Sequence, residues 1–128
     1  MLEIKASLRI YAKGTSLSEI SSKFRDSHDF GYSEGDGMYA KNRYLETMWG
    51  KRSTCGGDAD INTHVVELLD WLELRKKEFC KLTVESSVKS DIFVFLSSDN
   101  GQGGMTISSD VLIKLSEYEL DFVIDVYS

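Results

Sequence analysis

Apolar and polar residues alternate from Ile4 to Lys13, with Ile4, Ala6, Leu8, Ile10 and Ala12 on one side and Lys5, Ser7, Arg9, Tyr11 and Lys13 on the other. A period of two marks a strand with one buried face. Gly14 ends it. Ser16-Leu17-Ser18-Glu19 has the form of a capping box, in which the serine oxygen accepts from the backbone at Glu19 and the carboxylate reaches back. The stripe Leu17, Ile20, Ser21, Phe24 predicts a short helix to about Arg25. Residues 26–42, rich in Gly, Ser and Asp, predict a long loop with at most a brief strand. Tyr44–Arg52 follows as a second, less regular strand, and Cys55-Gly56-Gly57 breaks the chain.

Asp58 or Asp60 can cap the main helix, Ile61 to about Lys77. Ile61, Val65, Leu68 and Leu72 fall on one stripe, flanked by Leu69 and Trp71, with Val66, Asp70, Glu73 and Lys77 opposite. Three strands are predicted next: Phe79–Glu85, Ile92–Leu96 and Met105–Ile107. The middle one is apolar on both sides, as expected of a central strand covered at least partly on both faces. Asp99-Asn100-Gly101-Gln102-Gly103-Gly104 reads as a hairpin connection. Ser108 or Ser109 caps a helix through Val111, Leu112, Leu115 and Tyr118. A last strand sets Leu120, Phe122, Ile124 and Val126 against Asp121, Val123, Asp125 and Tyr127.

These elements predict one α+β domain over residues 1–128, with an antiparallel or mixed sheet and helices packed on one face. A ferredoxin-like arrangement is compatible with the order. It would set the first and last strands side by side, with Lys5, Arg9 and Tyr11 next to Asp121, Asp125 and Tyr127. The size agrees: 128 residues with 41% hydrophobic content suffice for one core and exclude a disordered chain. No apolar run approaches a membrane span, and no signal peptide is expected from an N-terminus that goes directly into a strand. Two cysteines make no disulfide framework, so the expected setting is reducing and cytoplasmic.

The formal net charge is −6, and its placement matters more than its size. Residues 1–64 hold nine acids and nine bases. From Asp91 onward there are seven acids, Asp91, Asp99, Asp110, Glu117, Glu119, Asp121 and Asp125, against Lys114 alone. Such a surface is a poor partner for nucleic acid and favours a basic protein. Glu117, Glu119 and Asp121 also stand where the last helix ends, against the helix dipole. The expected contact surface is therefore Asp91, Asp99, Glu117, Glu119, Asp121, Asp125 and Tyr127.

Other chemistries find little footing. The glycines at 101–104 lack the following Lys and Ser or Thr of a phosphate loop, and the alternating ligands of a calcium loop are missing. Zinc would need Cys and His pairs at short spacing, whereas Cys55 and Cys80 stand alone, so neither metal nor cofactor is expected. His64, on the flank of the main helix's stripe, is expected to be partly buried and bonded to a backbone carbonyl. An alternative is an enzymatic or ligand-binding site in the Gly-rich loops, with Cys55, His28 and Asp36 as its polar groups. A further alternative is a homodimer through an exposed sheet face bearing Tyr11 and Tyr127.

Several segments taken together resemble a known family. They are Ser7-Leu8-Arg9-Ile10, Leu17 with Ile20, Gly35-Asp36, Trp49 followed by Ser53, and the helix around His64, Leu68, Leu69 and Leu72. Thr106-Ile107-Ser108 and Ile124-Asp125-Val126-Tyr127 complete the set. The pattern resembles the bacterial domain of unknown function numbered 4279 over essentially the whole chain. That resemblance implies a small cytoplasmic α+β domain and brings no catalytic residues with it. By type, small acidic bacterial domains also resemble immunity proteins, which neutralise toxins. The function expected is thus a non-enzymatic domain that blocks a basic toxin, a nuclease among the candidates.

Overall fold

The computed structural model describes residues 2–37, 42–100 and 103–127. Its elements are β1 (Leu2–Ala12), α1 (Leu17–Phe24), β2 (Phe30–Tyr32), β3 (Thr47–Arg52), α2 (Ile61–Glu73), α3 (Lys76–Glu85), β4 (Val88–Ser98), α4 (Ser109–Glu117) and β5 (Asp121–Tyr127). The sheet order is β2-β3-β1-β4-β5, antiparallel throughout except for the parallel pair β4–β5.

Through Ser98 the chain follows the ferredoxin-like plan, with β1 between β3 and β4. The neighbour of β1 is β4, however, and not the last strand. Ile4 pairs with Leu96 and Arg9 with Asp91, so Lys5, Arg9 and Tyr11 do not adjoin Asp121, Asp125 and Tyr127. Both sides of β1 are taken before the chain reaches β5. A parallel strand reached through a helix must then add to the free edge of β4.

Sequence period and caps explain the elements that form as expected. Ser16 caps α1 through Glu19, and Arg25 closes it in the left-handed region at φ 54°. Asp60 caps α2 and Ser108 caps α4. The inward residues of β1 and β4, from Ile4 to Ala12 and from Ile92 to Leu96, meet the helices. Trp49 is wholly buried at the centre of an aromatic group with Phe24 and Trp71, and its Nε1–H donates to Ser21 Oγ at 2.9 Å. Beside it, Asp26 accepts from Trp71 Nε1 at 2.8 Å and pairs with Lys51 at 2.9 Å.

Four segments depart from the sequence expectation. The main helix stops at Glu73, where Arg75 turns back to donate to the carbonyls of Phe24 and Trp71. Phe79–Glu85 is helical within α3, because Phe79 and Leu82, three apart, are its buried positions. Met105–Ile107 is not a strand. Asn62 Nδ2 donates to Thr106 O at 2.8 Å and Asn62 Oδ1 accepts from Ser108 N at 3.0 Å, which occupies the polar groups a ladder would use. With no strand there, 99–104 is not a hairpin connection; Gly101 and Gln102 lie outside the described residues. Finally β3 begins at Thr47 rather than Tyr44, whose ring stacks on Tyr32.

Helices cover one face of the sheet. The other is open, so Phe93 and Phe95 are half-buried among neighbouring side chains rather than under a second layer. Phe122, Ile124 and Val126 share the helix-facing side with Ile92, Val94 and Leu96, yet Ile124 is 45% and Val126 67% exposed. The helical layer stops short of the β5 edge.

Candidate functional site

The register brings a set of side chains onto the open face that the sequence does not place together. Row by row across β3, β1 and β4 they are Met48, Tyr11 and Lys89; Gly50, Arg9 and Asp91; and Arg52, Ser7 and Phe93. Beyond them Lys5 lies beside Phe95 and Glu3 beside Ser97. On the outer strands Phe30 pairs with Gly50, and Asp121, Val123, Asp125 and Tyr127 line up with Asp91, Phe93, Phe95 and Ser97. Gly50 is required here, since a Cβ would sit 2.3 Å from the Phe30 ring.

Between these residues runs a groove of about 670 Å³. Arg9 is its fixed point. Its Nε and Nη2 donate to the two carboxylate oxygens of Asp91 at 2.8 and 2.7 Å, and its guanidinium lies 4.3 Å over the Phe93 ring. The hydrogen bond to Asp91 raises the arginine's pKa against the opposing effect of burial. Arg52 stands 4.7 Å over Phe30 and has no ion pair among the described residues. Lys5 has only a 3.8 Å approach to Glu3, both side chains being mostly exposed.

One end of the groove is closed by the loop after β3. Glu67, projecting from α2, accepts from Thr54 N, Thr54 Oγ1 and Cys55 N at 2.7–3.2 Å and so binds the loop to the helix. Burial would raise the Glu67 carboxyl, but these donors together hold it below its ordinary value. The clamp sets Cys55 Sγ 3.1 Å from His64 Nδ1, which is also 2.7 Å from Ser53 Oγ. His64 is 1% exposed, and its partner is thus a serine hydroxyl rather than the backbone carbonyl expected.

His64 Nδ1 thus faces both the Ser53 hydroxyl and the Cys55 thiol, Ser53 Oγ also lies 3.2 Å from Ala6 O, and the other ring nitrogen, Nε2, is buried without a partner. Burial, together with the Glu67 charge, pushes the Cys55 thiol up. A thiol raised in this way disfavours the thiolate that a nucleophilic cysteine needs.

Cys55, His28 and Asp36 do not converge. His28 Nδ1 meets Ser21 Oγ at 3.4 Å, and Asp36 accepts from Ser33 N in its own turn. The histidine beside Cys55 is His64, delivered by α2. The available signal was its place on the buried stripe of a helix whose start follows the cysteine loop.

The acidic residues divide. Asp91 is bound to Arg9, Glu117 has an exposed pair with Lys114 at 3.7 Å, and Asp99 has partners of its own. Glu119, in the left-handed region at φ 55°, Asp121 and Asp125 have no cationic partner among the described residues. Asp121, Asp125 and Tyr127 share the outer side of β5, where Tyr127 packs against Phe95 at 4.8 Å between centroids. Tyr11, at one end of the central strand, and Tyr127, at the far end of the edge strand, lie beside Lys89 and Ser97, about 26 Å apart along the strand direction at 3.3 Å per residue. Among the described residues no group of three or more His, Cys, Asp or Glu is placed to hold a metal ion, and no helix is long and apolar enough to cross a membrane.

No curated protein and no solved structure matches the chain. Residues 2–128 match the family described as Domain of unknown function (DUF4279). With the match spanning nearly every residue of the fold, from β1 through β5, this chain belongs to the DUF4279 family.

Proposed function

We propose that the protein is a non-enzymatic binding domain of the immunity type, which receives a basic protein, such as a toxin domain, along its β5 margin. The observation that carries this reading is the pairing of two features on one edge. Glu119, Asp121 and Asp125 lack cationic partners among the described residues; exposed Tyr127 shares the face of Asp121 and Asp125, and exposed Ile124 and Val126 stand on the other face of the same edge strand. Uncompensated carboxylates speed the encounter with a cationic surface and reject acidic ones. The apolar and aromatic residues supply the dry centre that such an encounter needs to persist. Asp121 and Asp125 face the same way, about 13 Å apart along the strand, a span that suits two Lys or Arg side chains of a partner.

The test is capture from native lysate by the wild-type chain and by a triple variant, Glu119→Lys, Asp121→Lys and Asp125→Lys. The expected result is a basic protein retained by the wild type, released by added salt, and associating at least about tenfold more slowly with the variant. An acidic partner, or one indifferent both to salt and to the three substitutions, overturns the reading.

A further inference from the structure

We infer that the groove on the open face is a binding site for a small organic anion, an aromatic carboxylate by class, which adjoins the β5 margin at Phe95 and Tyr127. The chain as a whole carries a net charge of −6, yet the groove is lined by Lys5, Arg9 and Arg52 against Glu3 alone. Acidic proteins do not gather bases at one concavity by composition; here the β1–β3 register does it. Arg9 is already oriented, because Asp91 holds its Nε and Nη2 and leaves the Nη1 edge free to donate. Arg52 is steadied by Phe30 without an ion pair, and the exposed Lys5–Glu3 contact yields readily to a competing carboxylate.

Chemistry on the walls sets the rest of the ligand. Phe93 and Phe95 present half-buried rings beside the cations, so an aromatic body is accommodated on one side while its carboxylate meets the guanidinium groups. The volume of about 670 Å³ is that of a small-molecule site. Cys55 lies at the closed end, half-buried, and takes no chemical part; it serves as a reporter.

The two cysteines make the experiment internally controlled, since Cys80 is exposed on α3 and is not among the groove residues. Alkylation by iodoacetamide is followed separately at each thiol by mass spectrometry, with benzoate, phenylacetate and indole-3-acetate as probes. A probe at twice its dissociation constant slows Cys55 about threefold and leaves Cys80 unchanged. Lys5→Gln with Arg52→Gln, both on exposed side chains, removes that protection while the folded state persists, checked by circular dichroism. Inorganic phosphate, without an aromatic body, and benzyl alcohol, without a charge, protect less. Absence of protection by all three carboxylates overturns the inference, as does equal protection by benzyl alcohol or equal protection in the double variant.

Discussion

The two sides of the open sheet face handle charge in opposite ways. On the β3–β1 side several polar groups have named partners: Arg9 with Asp91, Glu67 with the 54–55 loop, Ser53 with His64 and Ala6. On the β5 side Glu119, Asp121 and Asp125 have none among the described residues, and Ile124 and Val126, on the helix-facing side of the same strand, are uncovered. Charges that are paired inside the fold stabilise it and set geometry. Charges left alone at a strand edge contribute little to stability and are available to something outside. Net charge alone cannot separate these cases, since it does not say which charges are paired.

Stability measurements break or sharpen this contrast. The largest expected effect is at the filled core of β3, where Trp49→Ala removes a wholly buried indole and costs about 3–5 kcal/mol in urea unfolding. Ile124→Ala on β5 costs under about 1 kcal/mol by the same measurement, since the side chain is already nearly half exposed. Similar losses at both positions would show that the two sides are equally consolidated.

Next comes Asp91→Ala, which leaves the part-buried Arg9 without its carboxylate and costs about 1.5–3 kcal/mol. Glu67→Gln is smaller, about 1.5 kcal/mol, and has a pH signature. The folded-state pKa of Glu67 lies below its ordinary 4.5. Its contribution is therefore complete above that value and is lost as pH falls through the lower folded one. Urea midpoints of the wild type should drop across this acidic window, and the glutamine variant should lose part of that slope. Asp26, lowered by its hydrogen bond from Trp71 and by Lys51, adds to the slope and remains in the variant. The smallest effect is predicted for Asp121→Lys with Asp125→Lys, within about 0.5 kcal/mol of the wild type. A loss of several kcal/mol there would mean that these carboxylates are structural after all.

Elements with a one-sided period were legible from the residues: β1 through its alternation, and α1, α2 and α4 through a stripe and a cap together. Phe79–Glu85 was not, because Phe79 and Leu82 among lysines and glutamates are too few to separate a period of two from one of 3.6. The partner of β1 was hidden for another reason. Strand order is decided by which edges remain free, and that depends on elements far apart in the chain. The same distance hid the fate of Asp91, whose arginine lies 82 positions away. Cys55 was legible as a polar group worth placing, but its histidine was misassigned. The Glu67 clamp that folds the loop onto α2 leaves no periodic trace. The acids of β5 were read directly as an exposed alternation, and the register then showed which of them stay unpaired.

The Asn62 amide, which grips both Thr106 and Ser108, has a wider consequence. Residues up to Ser98 complete a recognised four-stranded plan, and what comes after is tied to it by that amide, by Val111, Leu115, Tyr118 and Leu120 in the core, and by the ladder along β4. In native-state hydrogen exchange the outer part of the final strand, where Ile124 and Val126 are uncovered, would open before α4, whose Val111 and Leu115 are buried in the core. Any binder that clasps the terminal strand would then lengthen the lifetime of its amides far more than that of those in the sheet's interior.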